Sequence, residues 1–383
     1  MKKIIIVSDS LRVGGIQRSL RTFLDNLNYN EYDITLFLFN DRYPEDLPTS
    51  IHLLKSNFFL RTISLTLKEA KSENLLVYFV RIFLAFLCKV LGSEFVYSTI
   101  FLFTKNIKYY DIALSYSNNG NNRTVYYGYN KFILNKVKAD RKITYLHVDY
   151  EIMRLNNKTN RNEYSKFDKI LTVSEYTKRV FIKCNKDLEK KVEVVYNFLP
   201  NNINNNLKNP YNYNGFIIVS VGRLDDNKNP GLQVEIAKEL KNRNLQFKWY
   251  LIGDGVLRKA MEVMVKRESL NDCVFFLGSK EDAYSYIKYA NAYVSTSKSE
   301  SYGLSIAEAL LLNTVVVAKE YPALHEIINT DNGFICEDKE KMIYILTELI
   351  TIPNLYNDAK KKAILNFDNQ KNYKKLKSVL EGE

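Results

Sequence analysis

One pattern, written twice along the chain, constrains the fold most. Residues Lys2 to Ser8 form a short, dense apolar run that ends in a polar turn. A loop with Gly14-Gly15 follows, then an amphipathic stretch from Ile16 to Leu27 and a second apolar run, Ile34 to Phe39. The same order restarts at Gly215–Val221, with a helical stretch over Gly231–Arg243 and a run over Lys248–Gly253. Short apolar runs with no polar alternation are buried on both faces, which a parallel sheet covered by helices provides. Strand, glycine-bearing loop, helix, strand is the opening of a doubly wound α/β domain, so the sequence predicts two of them.

Further strands are expected at Ile112–Ser115, Lys142–His147, Ile170–Val173 and Val192–Val195 in the first half. In the second they are expected at Cys273–Leu277, Ala292–Ser295 and Val315–Ala318, with helices at Leu257–Arg267 and Ser305–Leu312. The asparagine-rich stretch Asn197–Asn214, with Pro200 and Pro210, reads as a linker. The expected domains are 1–200 and 201–365, with a C-terminal helix over 366–383 that packs back on the first. Two doubly wound domains are expected to face each other across a cleft at the carboxyl ends of their strands, where α/β sheets bind ligands.

Charge is unevenly divided. Residues 1–200 carry 31 Lys+Arg against 20 Asp+Glu, a net of +11, whereas residues 201–383 carry 24 against 23, a net of +1. A basic first half draws polyanions: nucleic acid, anionic lipid or a phosphorylated substrate. A solubilising surface explains the same numbers. The four cysteines are far apart with no CxxC pair, which speaks against a disulfide framework or a zinc site and fits a reduced cytosol. Met1-Lys2-Lys3 precedes only four apolar residues, so no secretory signal is expected.

The section Phe58–Ile107 is rich in Phe, Leu, Ile and Tyr, and Leu75–Leu91 is apolar apart from Arg81 and Lys89. Arg81 near the middle argues against a membrane-spanning helix. Two readings stand. One is a helix lying in a membrane interface with its basic residues towards lipid headgroups. The other, which asks for less, is a pair of core-packing helices covering the sheet.

The densest chemical signal is the run Ser299–Glu308. Gly303 sits where a loop turns into a helix, whose unpaired first-turn amides and dipole make an anion site. Glu300 before it and Glu308 one turn inside would put a carboxylate on each side of a phosphate docked on the amides of Gly303 and Leu304. An ordinary helix start with acidic neighbours would look similar. The second signal is Val221–Pro230, a polar loop between a strand and a helix. Its Arg223 offers a planar fork and Lys228 a point charge, a pair able to neutralise a diphosphate without a metal.

These residues carry a resemblance. Glu300 and Glu308, with seven residues between them, resemble the EX7E motif of the family-4 retaining glycosyltransferases of GT-B fold. Gly222-Arg223-Leu224 with Lys228-Asn229 is similar to that family's diphosphate loop. Ile252-Gly253-Asp254-Gly255 and Phe276-Leu277-Gly278 resemble landmarks around the donor nucleotide. In the first half, Val13-Gly14-Gly15-Ile16-Gln17 resembles the loop that approaches donor and acceptor, and Leu146-His147-Val148-Asp149-Tyr150 the histidine-bearing segment near the acceptor. Val173-Ser174-Glu175 and Val195-Tyr196-Asn197 also fit, and all occur in the family's order. Ser301 departs, standing where glycine is most frequent.

The resemblance implies a GT-B fold and a retaining, metal-independent transfer from a nucleotide sugar, with a UDP-sugar the first choice, and no cofactor. Glu300, His147, Arg223 and Lys228 become the catalytic candidates. Gly14, Gly15, Ser174, Gly253, Leu277, Tyr302, Gly303, Leu304 and Glu308 become the substrate-binding ones, Glu308 on the ribose. The acceptor implied is a polyprenyl-diphosphate-linked or glycan hydroxyl in bacterial capsule or O-antigen assembly. The protein would then sit in the cytoplasm, touching the anionic inner membrane peripherally. Two alternatives remain: a non-catalytic sugar-nucleotide-binding relative, and a nucleic-acid-binding protein. The second is weakened by the lack of any RNP-like stretch. An NAD-dependent dehydrogenase is set aside because the Gly14-Gly15 loop is not GxGxxG and no acidic residue ends the second strand.

Overall fold

The computed structural model describes residues 1–11, 14–41, 47–201, 203, 205–329, 332–352 and 368–382. The chain divides into two compact units. Unit 1 is Met1–Phe198 with Asn369–Glu383, and unit 2 is Leu199–Asp368.

Unit 1 is built on a seven-stranded parallel sheet. In chain order its strands are β1 (Lys2–Ser8), β2 (Tyr32–Leu38), β3 (His52–Leu54), β4 (Ile107–Ser115), β5 (Val137–Leu146), β6 (Lys169–Thr172) and β7 (Val192–Val194). Their spatial order is β3-β2-β1-β4-β5-β6-β7. The apolar run Ile4–Val7 is fully buried at the centre, as a strand covered on both faces must be. β4 and β5 begin about five residues earlier than expected. Their first halves carry Lys108, Lys138 and Asp140 and are partly exposed, so apolar runs mark only the buried ends. The three-residue edge strand β3 was not expected.

Phe58–Ile107 folds as four helices, not a pair: α2 (Phe58–Ser64), α3 (Leu67–Glu73), α4 (Leu75–Leu91) and α5 (Ser93–Leu102). The α3 start is a capping box in which the Thr66 and Glu69 side chains satisfy each other's backbone amides. Asn74 caps α4, accepting from the Val77 amide at 2.8 Å. Val77, Arg81, Leu84 and Cys88 form the inner stripe of α4, against α2, α3 and α5. Arg81 thus points inward, correcting the expectation that it faces lipid headgroups: its Nε donates to the Leu65 carbonyl oxygen at 2.6 Å.

Unit 2 carries a six-stranded parallel sheet: β8 (Phe216–Val221), β9 (Phe247–Ile252), β10 (Val274–Gly278), β11 (Ala292–Ser295), β12 (Val315–Lys319) and β13 (Gly333–Cys336). The order is β10-β9-β8-β11-β12-β13. Trp249 fills its core, and the indole N–H, which burial would otherwise leave unpaired, donates to Ser220 Oγ at 3.0 Å.

The C-terminal helix Asn369–Glu381 belongs to unit 1. It buries Leu376, Val379 and Leu380, and its Asn372 brackets the Tyr196 backbone while Arg141 Nε donates to the Val379 carbonyl. Leu376 is fully buried, so Leu376→Ala should cost about 2–5 kcal/mol. Urea unfolding should show an earlier midpoint for unit 1. An unchanged midpoint would mean the helix contributes nothing to that core.

Candidate functional site

In unit 2 the strand ends are drawn together by glycine. The Gly222 amide donates to the Ile252 carbonyl at 2.9 Å and the Gly253 amide to the Gly278 carbonyl at 2.9 Å. Gly253 has φ +136, and a Cβ there would lie 1.8 Å from the Gly222 carbonyl oxygen. Only glycine fits such an approach. The loop leaving β8 is thereby aimed past the sheet edge, with the Arg223 side chain 76% exposed and 3.2 Å from Asp225. Lys228 follows just before helix α9 (Pro230–Asn242), its amide donating to Asp225 Oδ1 at 3.0 Å.

The loop leaving β11 is stitched to this one. Thr296 Oγ1 donates to the Lys228 and Asn229 carbonyls at 2.9 and 3.0 Å. The Lys298 amide donates to the Asn227 carbonyl at 2.8 Å, and Asn227 Nδ2 to the Ser299 carbonyl at 2.9 Å. Across this seam Lys228 forms an ion pair with Glu300, which also accepts from Ser297 Oγ at 2.8 Å. The chain then enters helix α12 (Leu304–Leu311) through Gly303 in the left-handed region, φ +89. A Cβ on Gly303 would stand 2.6 Å from the Tyr321 hydroxyl. The first amides of α12 have no acceptor within the helix and carry the positive end of its dipole. Glu308 is buried, and its carboxylate accepts from the Tyr284 hydroxyl at 3.1 Å. Tyr302 is buried, while Leu277 in β10 and Leu304 are half-buried. Gly222, Arg223, Lys228 and Ser297 line one small recess.

In unit 1, Gly14 and Gly15 open helix α1 (Gly15–Asp25); Val13 lies outside the described residues. Ser19 on α1 shares a 2.7 Å hydrogen bond with the Tyr116 hydroxyl and donates to Asn197 Oδ1 at 2.5 Å. His147, just past β5, packs against both the Tyr116 and Tyr145 rings, with centroids 4.6 and 4.4 Å away. Among the described residues its Nε2 has no hydrogen-bond partner. Burial pulls the imidazole down to about 3, against smaller upward pulls from the Tyr116 backbone and the Asn197 side chain, so His147 is neutral. Ser174 is fully buried and caps helix α8 (Glu175–Cys184), accepting from the Thr177 amide at 3.1 Å. The Ser174 hydroxyl thus serves as a helix cap.

The site residues therefore gather at two sheet edges. Unit 2 collects Arg223, Lys228, Gly253, Leu277, Glu300, Tyr302, Gly303, Leu304 and Glu308; unit 1 brings His147 to the same edge as Gly14 and Gly15. Several neighbours were not foreseen. Tyr284 lies outside both motifs and meets Glu308 only through the fold. Asp9 directly follows β1, a position that could have flagged it. It accepts from the Tyr129 hydroxyl at 2.9 Å, and burial raises its carboxyl. Glu163 receives the Asn119 amide at 2.8 Å, and burial pushes it up to about 7. Among the described residues no group of three or more His, Cys, Asp or Glu could hold a metal ion.

Two opposite pH dependences follow. The folded value of His147 lies below its unfolded one, so the associated stability is complete above about pH 6.5 and is lost as pH falls towards 3. Glu163 is raised, so its contribution is complete below about pH 4.5 and is lost as pH rises through 7. Urea unfolding of wild type and His147→Gln between pH 6 and 4 isolates the first. Relative to the variant, wild type should lose about 1.4 kcal/mol per pH unit; parallel curves would contradict a buried neutral imidazole.

The chain is similar to known proteins in sequence and in fold. Residues 203–365 match the family model of the glycosyl transferases group 1. Over 354 residues the chain is 26% identical to the N-acetylgalactosamine-N,N'-diacetylbacillosaminyl-diphospho-undecaprenol 4-alpha-N-acetylgalactosaminyltransferase of Campylobacter jejuni, covering 90% of this chain and 88% of that one. It is 25% identical over 179 residues to an amylovoran biosynthesis glycosyltransferase of Erwinia amylovora, covering 43% and 44% of the two chains. Among solved structures, Anabaena HepE in complex with UDP and glucose superposes with a TM-score of 0.66 at 16% identity, covering 100% of both chains. Both units are parallel-sheet α/β domains, the fold is GT-B, and residues 203–365 match the glycosyl transferases group 1.

Proposed function

We propose that this chain transfers a glycosyl residue from a UDP-sugar, with retained anomeric configuration, to a hydroxyl of a polyprenyl-diphosphate-linked or glycan acceptor in bacterial surface polysaccharide assembly. The observation that carries the reading is the cradle in unit 2, where Arg223, Lys228 and the open amides of α12 converge on one sheet edge. Two cations lining one small recess suit a diphosphate, and preorganised charge is the largest lever on its departure. HepE with UDP and the undecaprenol-linked substrate named for the Campylobacter relative support the choice of donor and acceptor.

In this reading Arg223 and Lys228 hold the diphosphate, and the Gly303 and Leu304 amides bind its oxygens. Glu300 takes the donor sugar's hydroxyls, and Glu308 the ribose once the Tyr284 hydroxyl gives way. The Lys228–Glu300 pair keeps both charges compensated until the donor separates them, each partner then meeting a group of complementary character. The bond between the anomeric carbon and the diphosphate oxygen breaks as the acceptor oxygen bonds to that carbon from the same face. The acceptor proton passes to the departing diphosphate. Positive charge for the leaving group comes from the chain's own cations, so no metal is required. In unit 1, neutral His147 offers hydrogen bonding rather than charge to the acceptor. The enzyme works at the inner face of the cell membrane, in peripheral contact with it.

The test is transfer assayed with a panel of UDP-sugars and a polyprenyl-diphosphate glycan acceptor, with the product's anomeric coupling read by NMR. Glu300→Gln should lower turnover by about 10²–10³-fold while UDP still binds. Arg223→Ala should weaken UDP itself. An inverted product would overturn retention, and unaltered UDP affinity in Arg223→Ala would overturn the cradle.

A further inference from the structure

Helix α4 is apolar on both of its faces, and the cation near its middle is turned inward. Its inner stripe, Val77, Arg81, Leu84 and Cys88, contains its buried cation. The opposite stripe, at the same spacing, is Phe79, Phe83, Phe86 and Val90, with exposures of 62%, 57%, 57% and 58%. Leu75 and Leu76 extend it at 65% and 68%. Residues four and three apart share a helix face, so these side chains form one continuous apolar strip. A soluble domain rarely leaves such a patch bare unless something covers it.

We infer that this strip lies in the interface of an anionic membrane. Three observations select that occupant. The strip contains only Phe, Leu and Val and no hydrogen-bonding group, whereas a protein interface mixes apolar anchors with polar groups and a polar rim. Acyl chains ask for no directional partner. Next, the helix is bordered by exposed cations: Lys71 before it, Lys89 in its last turn, and Arg123, whose guanidinium donates to the Lys89 carbonyl oxygen at 3.3 Å. The acid Glu73 between them is already bound by Arg61. Residues 1–200 carry a net +11, which draws anionic headgroups and repels a second copy of the same face. Finally, no helix among the described residues is long and apolar enough to cross a membrane. A 17-residue helix, roughly 25 Å long, instead lies in the plane with its apolar face towards the acyl boundary.

The inward turn of Arg81 is what makes this possible. Bound to the Leu65 carbonyl on the inner stripe, it lets α4 turn its Phe-rich face outward without burying an unpaired charge. The placement deepens the lipid-linked-acceptor reading and rests on it for its purpose, since α4 holds unit 1 at the surface where such an acceptor resides.

The test uses the full chain and sedimentation with vesicles of phosphatidylcholine alone or mixed with phosphatidylglycerol. Wild type should bind the mixed vesicles, more weakly at high salt. The triple variant Phe79→Ser, Phe83→Ser, Phe86→Ser should lose at least tenfold in vesicle affinity. The altered side chains are exposed, so UDP binding should stay unchanged, which separates failure here from failure of the donor-site reading. Vesicle binding unaffected by the triple variant would overturn the proposal. So would a wild-type dimer in size-exclusion chromatography that the variant converts to monomer without altering vesicle binding, which would assign the strip to a second copy.

Discussion

The Lys228–Glu300 ion pair spans the seam on which the functional part of unit 2 depends. It joins the loops that leave β8 and β11, neighbouring strands whose connections diverge to opposite ends of the sheet. Side-chain and backbone hydrogen bonds from Thr296, Lys298 and Asn227 hold the same seam from both sides. The pair is partly buried, 22% and 19% exposed, so each charge leans on the other more than a surface pair would. What the seam fixes is direction. It sets the cation of one loop and the helix start of the other at one edge, where a doubly wound sheet presents ligands.

Glycine supplies the precision. Gly253 lets the end of β9 pass so close to Gly222 that a single methyl would collide with its carbonyl oxygen, and Gly303 turns the chain into α12 in a conformation other residues resist. The interior of unit 1 follows a different principle. His147 packs against two tyrosine rings, and Asp9 and Glu163 sit buried with neutral hydrogen-bonding partners. One unit concentrates charge at its edge. The other concentrates polar groups whose charged forms burial disfavours.

Much of the architecture was legible because parallel sheets demand dense apolar runs. Ala292–Ser295 came out to the residue, and Lys2–Ser8 likewise. What stayed hidden has physical reasons. β3 and β13 are edge strands that are only partly buried, so neither carries the dense apolar run that marks a covered strand. The early halves of β4 and β5 are partly exposed and polar, so hydropathy placed their starts too late. Leu75–Leu91 is apolar nearly all round, so periodicity could not say which face is buried, and Arg81 suggested the wrong one. The site motifs named Arg223, Lys228, Glu300, Gly303 and Glu308, residues close in sequence within two short segments. Tyr284 on Glu308 and the capping role of Ser174 depend on contacts that only the folded chain reveals.

The central claim is that the edge of unit 2 is a diphosphate cradle made of protein cations and helix amides. Calorimetric titration with UDP, UMP and uridine, without added metal, tests it most directly. If the cradle holds the diphosphate, affinity should fall steeply at each phosphate removed, by about tenfold or more from UDP to UMP. Uridine binding as tightly as UDP would place the recognition elsewhere and leave Arg223 and Lys228 without their role.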